Sequence, residues 1–130
     1  MSRVRRIDHI NIRSDRMEES AAFYERLLEL RRSAPPGMSG LEAIWMCDAS
    51  NHPIVHLNAP PDDEPPRRRS DDTGSLDHVA FDCQGHDRIV ATLEEMGAAY
   101  DCNFVAAIGL RQIFVKDPNG VRLELNFAAN

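Results

Sequence analysis

The spacing of apolar positions changes several times along the chain, and each change marks an element. In Ile7-Asp8-His9-Ile10-Asn11-Ile12 the apolar residues alternate. That period predicts a short strand with Ile10 and Ile12 on one face and His9 and Asn11 on the other. From Met17 the spacing becomes helical. Met17, Ala21, Tyr24 and Leu28 fall on one side, and Ala22 and Phe23 broaden it. Asp15-Arg16-Met17-Glu18 has the form of a capping box, so the helix is expected to open there and end at Leu28 or Glu29. Pro35-Pro36-Gly37 breaks the chain. Strands are predicted over 41–47 and 54–58, with a turn over 48–53 between them.

The second half follows the same plan. Leu76-Asp77-His78-Val79-Ala80-Phe81 reads as a strand, and a helix begins near Asp87. That helix turns Ile89, Val90, Leu93 and Met96 inward and stops at Gly97, a residue suited to the left-handed end of a helix. Strands are predicted over 100–105, 110–115 and 121–127. Asp117-Pro118-Asn119-Gly120 forms a turn before the last of them, with proline in the second position and glycine in the last.

The two halves are a tandem repeat. His9 and His78 lie 69 residues apart, and His56 and Glu124, at matching places in the closing strands, lie 68 apart. The first module spans about 4–58 and the second about 76–127. Residues 59–75 carry Pro60, Pro61, Pro65, Pro66 and several Asp, too polar and proline-rich for a core element, and read as a linker. With 130 residues, the chain is of a length for one domain.

Alternation gives both modules a polar sheet face. Val55, Leu57, Val121, Leu123 and Leu125 are expected to pack on the helices. His9, Asn11, His56, Asn58, His78, Arg122, Glu124 and Asn126 are expected on the opposite face. Each histidine alone reads as an ordinary strand residue. Matched across a repeat, His9, His56, His78 and Glu124 read as a divalent-metal set. Imidazole nitrogen and carboxylate oxygen suit zinc, iron, nickel, cobalt or manganese. His52 and His86 fall in predicted turns and are expected at the surface.

Composition narrows the partners. A net charge of −6 speaks against nucleic acid or an anionic membrane as partner. Arg67-Arg68-Arg69 sits between acidic residues and reads as solvated loop. Cys47, Cys83 and Cys102 are odd in number and lack metal-type spacing, which predicts reduced thiols in a cytoplasmic protein; they fall on or near strands and are expected as buried small apolar residues. Neither a signal peptide nor a membrane span is evident.

The chain resembles the vicinal oxygen chelate superfamily, which includes glyoxalase I, fosfomycin-resistance proteins, extradiol dioxygenases and bleomycin-binding proteins. The matching residues are Asp8-His9-Ile10, Ala22-Phe23-Tyr24, the run from Leu76 to Phe81, and Phe114 to Leu125 with its Asp117-Pro118-Asn119-Gly120 turn. The resemblance implies an α+β fold of two tandem βαβββ modules forming a cupped, barrel-like mixed sheet, usually in a homodimer. It implies metal ligands at His9, His78 and Glu124, with a fourth at His56. In glyoxalase I the position of His56 is typically a glutamate that also serves as base, so histidine there is a departure. The basic C-terminal tail of fosfomycin-resistance enzymes is missing from the run ending Asn126-Phe127-Ala128-Ala129-Asn130.

The shared chemistry of that superfamily is chelation of vicinal substrate oxygens by the metal, with proton transfer beside a carbonyl. His56 or Glu124 is then the expected base. Arg111, after the flexible Gly109, is expected either to pair with a substrate carboxylate or to sit as a surface arginine on an edge. Arg122 is expected to face substrate or to neutralise Glu124. Asn11, Asn58 and Asn126 are expected to hydrogen-bond ligand oxygens or to orient the histidines. The expected activity is a metal-dependent lyase or isomerase acting on a small molecule. The alternatives are an iron-dependent ring-cleaving dioxygenase and a drug-binding protein without turnover.

Overall fold

The computed structural model describes residues 1–37, 42–63 and 73–129. Most of the expected linker, with Arg67-Arg68-Arg69, lies outside the described residues, as does Leu41 at the expected start of a strand. The first unit, 1–67, runs β1 (Ile10–Arg13), α1 (Met17–Leu28), β2 (Arg31–Ser33), β3 (Ala43–Cys47), β4 (Pro53–Asn58). The second unit, 68–130, runs β5 (Val79–Asp82), α2 (His86–Met96), β6 (Tyr100–Val105), β7 (Leu110–Lys116), β8 (Arg122–Phe127), with a short 3-10 turn at Ala106–Ile108. The fold is α+β, two four-stranded mixed sheets with two helices, and each unit is one βαβββ module.

The two sheets have one topology. The strand orders are β1-β4-β3-β2 and β5-β8-β7-β6. The opening strand pairs in parallel with the closing one, and the other pairs are antiparallel. The registers place Asn11 beside His56 and Ala80 beside Glu124. The β3–β4 register steps from Cys47–Pro53 to Met46–Val55 and leaves Ile54 over as a bulge. The β7–β8 register passes from Lys116–Arg122 to Val115–Leu123 with no such step. That one residue turns the repeat distance of 69 at the opening histidines into 68 at His56 and Glu124.

The opening strands begin later than the alternation predicts. Ile7 and Leu76 are exposed, and hydrogen-bonded pairing starts only at Ile10 and Val79. His9 and His78 therefore stand at the entry to β1 and β5 rather than inside them.

Helix α1 forms over the predicted span without the predicted capping box. Arg16 is the N-cap and makes no side-chain cap bond. Instead the Ser14 hydroxyl accepts the Arg16 N–H at 3.0 Å and lies 3.2 Å from the Ser20 hydroxyl, both serines buried. The buried face is also rotated from the predicted one. It carries Ser20, Ala21, Phe23, Tyr24 and Leu27, while Ala22 is exposed and Leu28 only half-buried. Glu29 ends the helix in the left-handed region at φ 55°, and the Leu30 N–H returns to the Tyr24 carbonyl. Helix α1 lies against β3 and β4.

Beneath it Met46, Val55 and Leu57 are fully buried, as are Leu93, Ile113, Leu123 and Leu125 in the second unit. Each such side chain contributes about 1.5–3 kcal/mol by leaving water. In both closing strands buried and half-exposed residues alternate, as the period of two predicts.

The turns before the closing strands are copies of one another. The Asp48 carboxylate accepts the N–H groups of Ser50 and His52 at 2.9 and 3.0 Å. The Asp117 carboxylate accepts those of Asn119 and Val121 at 2.8 and 2.9 Å. The residue that must turn left-handed is Asn51 in one and Gly120 in the other, both types that tolerate positive φ.

Candidate metal centre

The expected ligands fall into two pairs, one in each module. In the first, the rings of His9 and His56 are stacked, with centroids 3.7 Å apart and 8° between planes. Trp45, the register partner of His56 on β3, stacks on His56 at 4.8 Å. The pairing of three strands thus brings His56, Trp45 and the entry residue His9 to one face. His56 Nε2 lies 3.1 Å from the Pro53 carbonyl. A carbonyl only accepts, so the Nε2 proton is committed there and Nδ1 keeps its lone pair. Burial pushes the His56 imidazole below its usual pKa, and the neighbouring His9 acts in the same direction.

In the second module, His78 Nε2 lies 3.5 Å from Glu124 Oε1. The Glu124 side chain is 15% exposed. Its other oxygen accepts from Asn126 Nδ2 at 2.9 Å. Asn126 in turn accepts from Gln112 at 3.1 Å, and Gln112 accepts from Asn103 at 2.8 Å. This ladder of amides crosses β8, β7 and β6 along residues that face one another in register, and it fixes the carboxylate from behind. Asn126, expected to meet ligand oxygens or to orient the histidines, contacts Glu124, and the contacts of Gln112 and Asn103 behind it were not visible in the sequence.

Each opening histidine also has an aspartate at its back. His9 Nδ1 lies 2.7 Å from Asp8 Oδ2, and His78 Nδ1 lies 2.7 Å from Asp77 Oδ2. The imidazole N–H bond holds each carboxyl below its ordinary pKa. Asp8 is further engaged by His52, whose Nε2 lies 2.8 Å from the Asp8 carbonyl and 3.3 Å from its carboxylate. Asp77 is further engaged by Arg122 at 2.9 Å. His52, expected as a bystander in a turn, is thus part of the His9 surroundings. The Asp-His dipeptide was repeated in plain view, but periodicity puts neighbouring residues on opposite faces and hid their contact.

The remaining expected residues are placed as follows. Asn11 is exposed on β1 beside His56. Arg122 lies over the Phe114 ring, and its ion pair is with Asp77 rather than Glu124. Arg111 is half exposed and donates to Asp87 on α2 at 3.2 Å. His86 opens α2 rather than a turn and meets Phe127 edge-on at 5.1 Å. The cysteines divide: Cys47 is buried, Cys83 partly so and Cys102 exposed, so the expectation of burial fails at Cys102, which points outward from edge strand β6.

The donors present fit a divalent ion in type. Among the described residues no group of three or more His, Cys, Asp or Glu side chains is clustered as a metal cage. Within the second module, however, His78 Nε2 and Glu124 Oε1 are closer together than twice a metal–ligand bond of about 2.1 Å, so both can reach one ion. Among the described residues no helix is long and apolar enough to cross a membrane.

Comparison with known proteins places the chain in a family. The model of the Glyoxalase/Bleomycin resistance protein/Dioxygenase superfamily matches residues 6–125. The chain is 26% identical over 122 residues to Glyoxylase I 4 of Arabidopsis thaliana, covering 92% of this chain and 68% of that protein. Among solved structures, a glyoxalase/dioxygenase from Nostoc punctiforme aligns with a TM-score of 0.76 at 23% identity, over 97% of this chain and 92% of that one. The genomically encoded fosfomycin resistance protein FosX from Listeria monocytogenes aligns with a TM-score of 0.68 at 13% identity, over 97% and 95%. The chain belongs to the Glyoxalase/Bleomycin resistance protein/Dioxygenase superfamily.

Proposed function

We propose that this protein is a divalent-metal-dependent enzyme of glyoxalase type, a lyase or isomerase acting on a small substrate with vicinal oxygens. The proposed metal ligands are His9, His56, His78 and Glu124, and a homodimer is the proposed working assembly. The observation that carries the reading is the His78–Glu124 pair. An imidazole tied through Nδ1 to Asp77 turns its other nitrogen toward a largely buried carboxylate 3.5 Å away. Two such donors face to face suit a shared cation.

A bound zinc, iron, manganese, nickel or cobalt ion supplies Lewis-acid stabilisation of negative charge developing on a substrate oxygen. The side chains supply proton transfer and orientation. Displaced from the ion by substrate, His56 would take up the proton at Nδ1, because Nε2 is committed to the Pro53 carbonyl and burial favours the neutral ring. Glu124 is the second base, its Oε2 steadied by Asn126. Asn11 hydrogen-bonds a substrate oxygen. Arg111 and Arg122 meet substrate anions by exchanging their partners Asp87 and Asp77.

Elemental analysis of protein purified without chelators tests the site. Stoichiometric metal is expected in the parent chain, with loss in His9→Ala, His56→Ala and Glu124→Ala. Metal retained in all three overturns it. For the reaction class, exchange of a substrate carbon-bound proton for deuterium is expected to depend on metal and His56. Oxygen uptake with catechols and added iron replaces this reading with ring cleavage, and tight ligand binding with no turnover replaces it with sequestration.

A further inference from the structure

The same small arrangement occurs twice in chains of contacts that share no residue. An aspartate precedes each opening histidine, and its Oδ2 lies 2.7 Å from the Nδ1 of that histidine. Neither carboxylate is held by its histidine alone. Asp8 is braced by His52, itself 3.4 Å from Arg6, and Asp77 is braced by Arg122 resting on Phe114. The two modules brace the aspartate with different residue types one position apart in the repeat, His52 matching Val121 next to Arg122, while the Asp–His contact itself is the same.

A neutral imidazole has one N–H and one lone pair, and a carboxylate accepts but does not donate. We propose that Asp8 and Asp77 are positioning residues that hold His9 and His78 in the Nδ1–H tautomer, so that each ring presents the Nε2 lone pair. The proposal rests on the metal reading above for its purpose, since a ligating nitrogen must be unprotonated. Its physical content is independent of that reading. At His78 the two carboxylates are at unequal distances: Asp77 Oδ2 is 2.7 Å from Nδ1, whereas Glu124 Oε1 is 3.5 Å from Nε2, so the nearer acceptor takes the N–H and Nε2 keeps its lone pair. At His9 the same choice leaves Nε2 unprotonated on a ring stacked upon His56. A carboxylate behind a ligating imidazole also raises the basicity of the nitrogen that binds, and loss of such a partner costs about 10–100-fold in metal affinity.

The test begins on metal-free protein with 15N-labelled histidine at about pH 8.5, well above the ordinary imidazole pKa of about 6.5. Long-range proton–nitrogen correlation spectra distinguish the two tautomers of each ring. His9 and His78 are expected as Nδ1–H in the parent chain. Asp8→Ala is expected to release His9 alone into a mixture, and Asp77→Ala to release His78 alone. Asp8→Asn and Asp77→Asn keep an oxygen acceptor and are expected to restore the Nδ1–H form in part. Cobalt titration by calorimetry is expected to give a 10–100-fold weaker affinity in each alanine variant. An Nε2–H tautomer in the parent, or an unchanged Nδ1–H tautomer in both alanine variants, overturns the proposal. A parent chain with the expected tautomers that binds no cobalt upholds the positioning role and overturns the metal reading instead.

Discussion

His9 and His56 lie face to face, their ring centroids 3.7 Å apart and their planes 8° from parallel. Two positive rings at that separation repel by about 1 kcal/mol even in water, and this adds to the burial that holds the His56 imidazole below its usual pKa. Trp45 closes the other side of His56 at 4.8 Å and is the single tryptophan of the chain. Any ligand that takes hold of His56 disturbs the surroundings of that indole. Adding zinc or cobalt is expected to change the Trp45 emission in proportion to occupancy. The response is expected to vanish in His56→Ala, which retains the tryptophan. Stoichiometric binding by calorimetry with unchanged emission would remove His56 from the ligand set.

Much of this arrangement was legible in the sequence because period and repeat act together. Alternation placed Val55, Leu57, Leu123 and Leu125 inside and His56 and Glu124 on the other face, and burial follows that division. What escaped were contacts made between neighbours or across strands. Asp8 with His9 is a contact between successive residues near an element boundary, where period says nothing about how side chains bend. The amide ladder from Asn103 to Glu124 needs the register of three strands, which a single sequence does not supply. The repeat distance of 68 at the closing strands looked like a loose match to 69, and the bulge at Ile54 accounts for it.

The helix face offers a stability test. Sequence spacing picks Leu28 as the inward leucine of α1, but Leu27 is the one fully packed, at 3% exposure. Leu27→Ala is expected to cost about 2–5 kcal/mol, the range for a buried leucine, and Leu28→Ala clearly less. Urea unfolding midpoints at matched slopes decide between them. An equal or larger loss at Leu28 would mean that the helix is rotated about its axis from the orientation described.

Strand β2 is fastened to α1 by charge. Arg32 donates to both oxygens of Glu18 at 2.7 Å and lies 2.8 Å from Glu25. The hydrogen bond from Arg32 holds the Glu18 carboxyl below its ordinary pKa. A carboxyl with a depressed folded-state pKa contributes stability above its unfolded value of about 4.3 and loses it as the pH falls through the folded value. The parent chain is therefore expected to be more stable than Glu18→Gln at neutral pH, by a modest and salt-sensitive margin because the pair is exposed. The difference is expected to close as the pH is lowered below the ordinary glutamate range. Denaturant midpoints of both proteins across that range measure it, and a gap that persists in acid would assign the effect to something other than ionised Glu18.

The three thiols are expected to separate by rate. A thiolate is the attacking species, so both access and pKa matter. Burial, followed by the nearby charge of Asp82, pushes the Cys83 thiol up to about 11. At neutral pH only about one Cys83 in ten thousand is then ionised. Cys102 is exposed on an edge strand, and Cys47 is buried in β3. With a chromogenic disulfide reagent at neutral pH, Cys102 is expected to react first and Cys83 at least ~10-fold more slowly. Cys47 is expected to react only when the first module opens. The Cys83 rate is expected to keep climbing with pH toward about 11, whereas Cys102→Ser removes the fast phase alone. A fast phase that survives Cys102→Ser would place Cys83 in contact with solvent and contradict the desolvation that raises its pKa.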